Sequence, residues 1–258
     1  MRFSFFMTVI VLIFLYAPIM FLVIFSFNSS VTGANWMGFT LKWYGELFLR
    51  SPDIWEGFKN SLIVAVFSSL TATFIGTMAA IGIHWYKPSF RRYINFNIYA
   101  PLIIPDILMG VSMLMLFVSM RIRLSLFTIY LAHTTFSLSY VVLVVLARLE
   151  NFDSSLLEAA MDLGASEFQT VRRVIIPMAL PGIIASFLLS FTLSIDDFII
   201  TFFVAGPGST TLPLRIFSMI RFGLSPVVNA LSTILVGGAI LLTLLGRKFL
   251  KYILAGEG

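Results

Sequence analysis

Residues 148–177 read RLENFDSSLLEAAMDLGASEFQTVRRVIIP, the longest polar interruption in the second half of an otherwise apolar chain. Ser155 with Glu158 fits a capping box at the start of one helix, and Gly164 stands where that helix should stop. Ser166 with Gln169 fits a second capping box, from which a helix runs towards Pro177. Leu156, Ala160 and Leu163 share a face at helical spacing, so the first helix has an apolar seam to bury. Glu158 and Asp162, one turn apart with like charge, work mildly against it. Helices shorter than about 12 residues are marginal alone. The pair is expected to dock against something, the plain alternative being an amphipathic loop lying on a membrane.

Outside this stretch the 258-residue chain is 59% hydrophobic and only 11% charged. Soluble domains carry roughly 25% charged residues, so this chain lacks the charge to cover a water-facing surface and reads as an integral membrane protein. Its net charge of +5 lies in short groups between apolar runs, as in loops facing anionic lipid and cytoplasm. No basic module with interleaved aromatics points to nucleic acid. Cysteine is absent, which removes disulfides and thiol chemistry, and His84 and His133 each lack a second metal ligand nearby, so both read as structural and no metal site is expected. There is neither a G-x-x-x-x-G-K-[ST] phosphate loop nor a nucleophile–base spacing, so no catalytic residue and no cofactor is assigned to this chain.

Hydropathy predicts an all-α membrane protein with six transmembrane helices at about 5–27, 60–85, 93–120, 124–147, 178–204 and 222–245, in a single domain covering 1–258. The first run is too long for a signal-peptide core and reads as a retained span. The loop after it holds three of the four tryptophans, Trp36, Trp43 and Trp55. An aromatic belt at the interface explains them; contact between Trp43 and a cationic substrate is the other reading. Ten Lys and Arg fall on the side of the termini and the 148–177 loop, seven on the other, so both termini are expected in the cytoplasm.

Asp106, Asp196 and Asp197 lie inside apolar spans. A carboxylate at mid-bilayer costs at least about 2.5–3.5 kcal/mol, so each is expected to face the bundle interior or a water-filled path. Pro105 removes a backbone donor beside Asp106 and is expected to break the third helix there, where it would line a cavity. Asp196 and Asp197 are adjacent, hence about 100° apart on a helix; one can face substrate while the other holds a neighbouring helix, with the Ser194 hydroxyl close by. An elongated polycation passing between separated carboxylates fits this pattern. A salt bridge is the alternative, and no Lys or Arg of this chain lies deep in a span to make it.

Glu158-Ala159-Ala160, then Gly164, then Ile176-Pro177 is similar to the EAA signature of ABC-importer permeases. Together with Phe25-Ser26-Phe27-Asn28, Lys42-Trp43-Tyr44, Pro105-Asp106, FTLSIDDF and Leu212-Pro213, nearly the whole chain resembles the permeases of bacterial spermidine/putrescine importers, the second of their two paired subunits. The resemblance implies a type I ABC-importer fold in the bacterial inner membrane, with a cytoplasmic coupling helix between spans four and five. It implies a homologous second permease, an ATPase dimer carrying the ATP and Mg, and an extracytoplasmic polyamine-binding protein as partners. It carries Glu158, Ala159, Ala160, Gly164, Glu167 and Pro177 to ATPase coupling. Trp43, Asp106, Ser194, Asp196 and Asp197 are the candidates for polyamine passage. A permease for another small cation, or an ion-coupled secondary transporter using the aspartates as proton carriers, are the alternatives.

Overall fold

A computed structural model describes residues 2–31, 35–86, 91–150, 155–222 and 225–255. Every regular element among them is helical, with one isolated antiparallel bridge between Asn28 and Phe39. The chain forms two units, one of residues 1–55 with 215–258 and one of residues 56–214.

The first unit opens with α1, Arg2–Phe25, which continues through Pro18. Most of its described apolar side chains are exposed, as suits a helix with a wide face toward lipid. The loop that follows is organised by Asn28, whose side chain is fully enclosed. Its Oδ1 accepts from the amides of Ser30 (3.2 Å) and Met37 (2.9 Å), and its Nδ2 donates to the Asn35 carbonyl (2.8 Å). Phe27 stacks on Phe39, and the hydroxyls of Ser26 and Tyr44 meet at 2.7 Å. The loop leads into α2, Lys42–Arg50. Most of α11, Leu212–Phe222, and α12, Pro226–Ala255, complete this unit; α12 packs on α1 and α2, and Arg215 pairs with Asp53 at 2.6 Å.

The second unit takes most of α3, Pro52–Tyr86, followed by α4, Arg91–Ile103, α5, Asp106–Ser119, and α6, Leu126–Glu150. Two short helices, α7 at Ser155–Asp162 and α8 at Glu167–Thr170, precede a π-helical turn at Val171–Ile175. Then come α9, Ile176–Asp196, and α10, Ile199–Val204. A long seam joins α6 to α9, and α10 lies in contact with α5 and α6. One apolar cluster runs through Ala80, Val141, Val145, Leu149 and Ala179; another gathers Val64, Met109, Ile129, Phe136 and Ile200.

Among the described residues four helical stretches are long and apolar enough to cross a membrane: Phe5–Phe25, Pro52–Trp85, Leu126–Glu150 and Glu167–Asp196. A fifth crossing is broken, Arg92–Ile103 and Asp106–Ser119 meeting at 112°. The expected sixth, 222–245, falls on α12, whose described apolar stretch Pro226–Leu241 is shorter than a hydrocarbon core requires. Two boundaries differ from the hydropathy reading for local reasons. Helix α3 starts at Pro52 rather than near 60, because Pro at the first helical position and Asp53 in the first turn favour an early start. The fifth expected span, 178–204, stops at Asp196 and resumes at Ile199.

Candidate functional site

Pro105 ends one half of the broken span and caps the next. Its fixed φ (−57°) and the exclusion of the preceding residue from helical conformation separate α4 from α5. Asp106 thereby becomes the first residue of α5, its carboxylate beside the helix N-terminus, where negative charge is favoured. The expected break is observed. A cleft of about 420 Å³ opens beside it, lined by Pro101, Asp106, Phe136, Tyr140, Asp196 and Asp197 among others. Asp106 and Asp196 are exposed to it, and neither has a cationic partner among the described residues. Carboxylates with open lone pairs beside aromatic faces make a site for a cation.

Asp197 behaves differently, with a side chain only 10% exposed. Its Oδ2 accepts from the Thr201 amide (2.8 Å), the Thr201 hydroxyl (2.8 Å) and His133 Nε2 (3.2 Å), while Oδ1 accepts from the Ile200 amide (3.3 Å). The carboxylate thus caps the N-terminus of α10 and ties it to α6. Ser194 is buried; its hydroxyl lies 2.7 Å from His133 Nδ1 and 3.2 Å from the Ser68 hydroxyl. Ser194 is not among the residues that line the cleft. Trp43, in the first unit, is 4% exposed, gives its indole N–H to the Asn28 carbonyl at 2.7 Å, and carries Lys42 Nζ 5.0 Å from its ring. The FSFN (25–28) and KWY (42–44) segments are therefore joined by a hydrogen bond that holds their loop.

The 148–177 stretch builds the corner its sequence predicts. Helix α7 ends at Gly164 (φ +82°), with the Gly164 amide bonded to the Met161 carbonyl and the Ala165 amide to that of Ala160, a Schellman motif. Ser166 and Gln169 form a reciprocal capping box. The other expected box lies outside the described residues: 151–154 are not described, and of Glu158 only the backbone in α7 is. Ala159 and Glu167 are exposed, Glu167 as the first residue of α8, while Ala160 is half-buried. Pro177 follows the π turn, in which the Ile176 amide reaches back to the Val171 carbonyl. Pro177 has no N–H for the Arg173 carbonyl and would crowd it in a tight turn, so a widened turn just before it relieves the fit. Leu163, 89% exposed, and Phe168, 72% exposed, are not covered by the described residues of the chain.

Sequence reasoning passed over His133 as a chemical participant. Its one available signal was position, since an ionisable side chain in mid-span is a candidate for function by default.

A multi-crossing helical protein with a broken span over a cation-receptive cleft, and an uncovered amphipathic corner ahead of another span, is a transport permease. The chain belongs to the family of binding-protein-dependent transport system inner membrane components, whose model matches residues 72–253. It is a multi-pass inner-membrane protein. It is 44% identical over 222 residues to the spermidine/putrescine transport system permease protein PotC of Escherichia coli K12, covering 86% of this chain and 84% of that one. Against PotC of Haemophilus influenzae the identity is 40% over 238 residues, covering 92% of each. The putrescine transport system permease protein PotI of Escherichia coli K12 is 43% identical over 235 residues, 87% of this chain and 82% of that one. Among solved structures, a bacterial ABC transporter involved in import of the acidic polysaccharide alginate aligns with a TM-score of 0.73 at 17% identity, covering 96% of both chains. The inward-facing MetNI methionine ABC transporter aligns with a TM-score of 0.64 at 18% identity, covering 81% of this chain and 98% of that one. The fold is that of a type I ABC-importer permease.

Proposed function

We propose that this chain is a transmembrane permease subunit of an ATP-driven importer of polyamines, spermidine or putrescine. The observation that carries the reading is the pair of exposed carboxylates, Asp106 and Asp196, on one cleft beside a broken span, with no cationic partner among the described residues. A polyamine is a flexible chain of ammonium groups, each with strongly hydrated N–H donors. Carboxylates spaced along a path replace that hydration a few bonds at a time and let the cation leave again. Relatives at 40–44% identity carry spermidine and putrescine transport in their names, which supports the cargo.

Asp197 serves this path indirectly, as the cap that ends α9, and Ser194 as part of the packing behind it. Trp43 contributes by holding the loop before α2. The subunit pairs with a homologous permease, receives cargo from an extracytoplasmic polyamine-binding protein, and is driven by an ATPase dimer that holds ATP and Mg. The corner of α7 and α8, with Glu158, Ala159, Ala160, Gly164, Glu167 and Pro177, is the part that meets the ATPase: short helices with exposed Leu163 and Phe168 need a cover. With both termini and this corner in the cytoplasm, ATP binding closes the ATPase dimer and shifts the permease pair between inward and outward access.

The test is uptake of labelled spermidine and putrescine by cells expressing the assembled complex, with Asp196→Asn alongside. ATP-dependent uptake is expected, and losing one charge-assisted contact should raise KM about tenfold. Uptake that survives both inactivation of the ATPase and the substitution overturns the mechanism, and uptake of neither polyamine overturns the cargo.

A further inference from the structure

His133 sits in the middle of α6 with its side chain 1% exposed, and both ring nitrogens have partners. Nε2 faces the Thr201 hydroxyl at 3.0 Å and Asp197 Oδ2 at 3.2 Å; Nδ1 faces the Ser194 hydroxyl at 2.7 Å, which in turn lies 3.2 Å from Ser68. One imidazole therefore joins α3, α6, α9 and α10. The Thr201 hydroxyl gives its proton to Asp197, so toward Nε2 it can only accept. Asp197 Oδ2 can likewise only accept. Hydrogen-bond bookkeeping places the ring proton on Nε2, with Nδ1 left to the Ser194 hydroxyl.

What this tie holds is the stop between α9 and α10. Residues 190–204 read SFTLSIDDFIITFFV, with neither Gly nor Pro to end a helix. The chain breaks there because Asp197 leaves the helix (ψ 126°) and turns its carboxylate onto the Ile200 and Thr201 amides. Asp196 is the last residue of α9, so the direction in which it meets the cleft follows from where α9 stops.

We propose that His133 is the positioning residue of the acidic cleft: by binding Asp197 and Thr201 it fixes the end of α9, and so aims Asp196 at a passing cation. The cation's identity rests on the polyamine reading; the geometry does not.

Two substitutions separate the ring's two ends. His133→Gln can carry an N–H to where Nε2 stood, keeping the bond to Asp197 and Thr201. His133→Asn reaches only the Nδ1 position, keeping the Ser194 contact and losing the other. In the assembled complex, with rates normalised to permease in the membrane, His133→Gln is expected to transport with a KM near the parent's. His133→Asn should raise KM about tenfold with Vmax held, the loss of a hydrogen bond to a charged group. Thr201→Val removes a donor to the same carboxylate and should raise KM in the same direction. It serves as the test if the Asn variant does not accumulate. The second readout is independent of cargo. The chain has no cysteine, so Ile199→Cys on the cleft lining gives a single thiol, which should label faster in the His133→Asn background than with Gln. Equal KM and equal labelling for Asn and Gln, or a fall in Vmax at unchanged KM, overturns the proposal. If the parent takes up no polyamine, the cargo reading fails and the labelling difference alone decides on His133.

Discussion

Asp197 has its lone pairs committed to Ile200, Thr201 and His133, whereas Asp196, one residue earlier, opens to the cleft. Substitution of the two should therefore fail in different ways. Asp196→Asn removes charge from a solvated position and should alter KM while leaving the folded state intact. Asp197→Asn exchanges one acceptor oxygen for an NH2 group that must face either the Ile200 amide or the donors from Thr201 and His133. Placing donor against donor costs about 1–3 kcal/mol. Thermal unfolding of the purified subunit should show a lowered midpoint for Asp197→Asn and an unchanged one for Asp196→Asn; the reverse order would mean the roles are exchanged. That the two carboxylates part was legible from their 100° separation. Which one faces the cleft was not, because the deciding partner, His133, stands on another helix, and sequence spacing carries no information about it. Trp43 was similarly ambiguous: an indole looks the same in a string of letters whether it lines a path or donates to a buried carbonyl.

At the scale of helices, breaks written in glycine and proline were readable and breaks written in side-chain capping were not. Pro105 and Gly164 gave away their positions. The stop at Asp197 hid inside an apolar run, and the π turn before Pro177 shows only as a proline that ought to disturb a helix. Two glycines give contrasting expectations. A Cβ on Gly206 would stand 1.8 Å from the Leu124 carbonyl oxygen, a backbone atom that cannot swing aside. Gly206→Ala should cost about 2–4 kcal/mol, in the range of severe single substitutions, and deplete the protein from the membrane. Gly164 (φ +82°) has open space around it, so Ala there meets only the conformational cost, about 1 kcal/mol. Gly164→Ala should therefore insert normally and unfold a few degrees lower. Normal accumulation of Gly206→Ala would mean that the turn beside Leu124 yields more readily than its packing implies.

For the molecule as a whole, composition alone placed the chain in a membrane, and the count of basic residues gives an expected orientation, both termini in the cytoplasm. The orientation predicts that a reporter fused to the C-terminus is active only as a cytoplasmic fusion; an active periplasmic fusion there would reverse the topology. The uncovered corner predicts a second outcome. Phe168→Asp and Leu163→Asp place charge on surfaces that water already reaches within this chain, so the subunit should fold and insert. A complex carrying them should lose association with its ATPase and transport together, while retention of both would show that the corner meets no partner. The sixth crossing was the least legible, since hydropathy drew it over 222–245 whereas the described apolar stretch of α12, Pro226–Leu241, is shorter than a hydrocarbon core requires.

The π turn joins α8 to α9 without ending the helix, so residues Glu167–Asp196 form one continuous 30-residue rod. At 1.5 Å per residue it is about 45 Å long. One end is the exposed corner and the other is the carboxylate on the cleft. We expect a rotation applied at Glu167 to travel along this rod, so that turning the corner would shift the charge that Asp196 presents to the cleft.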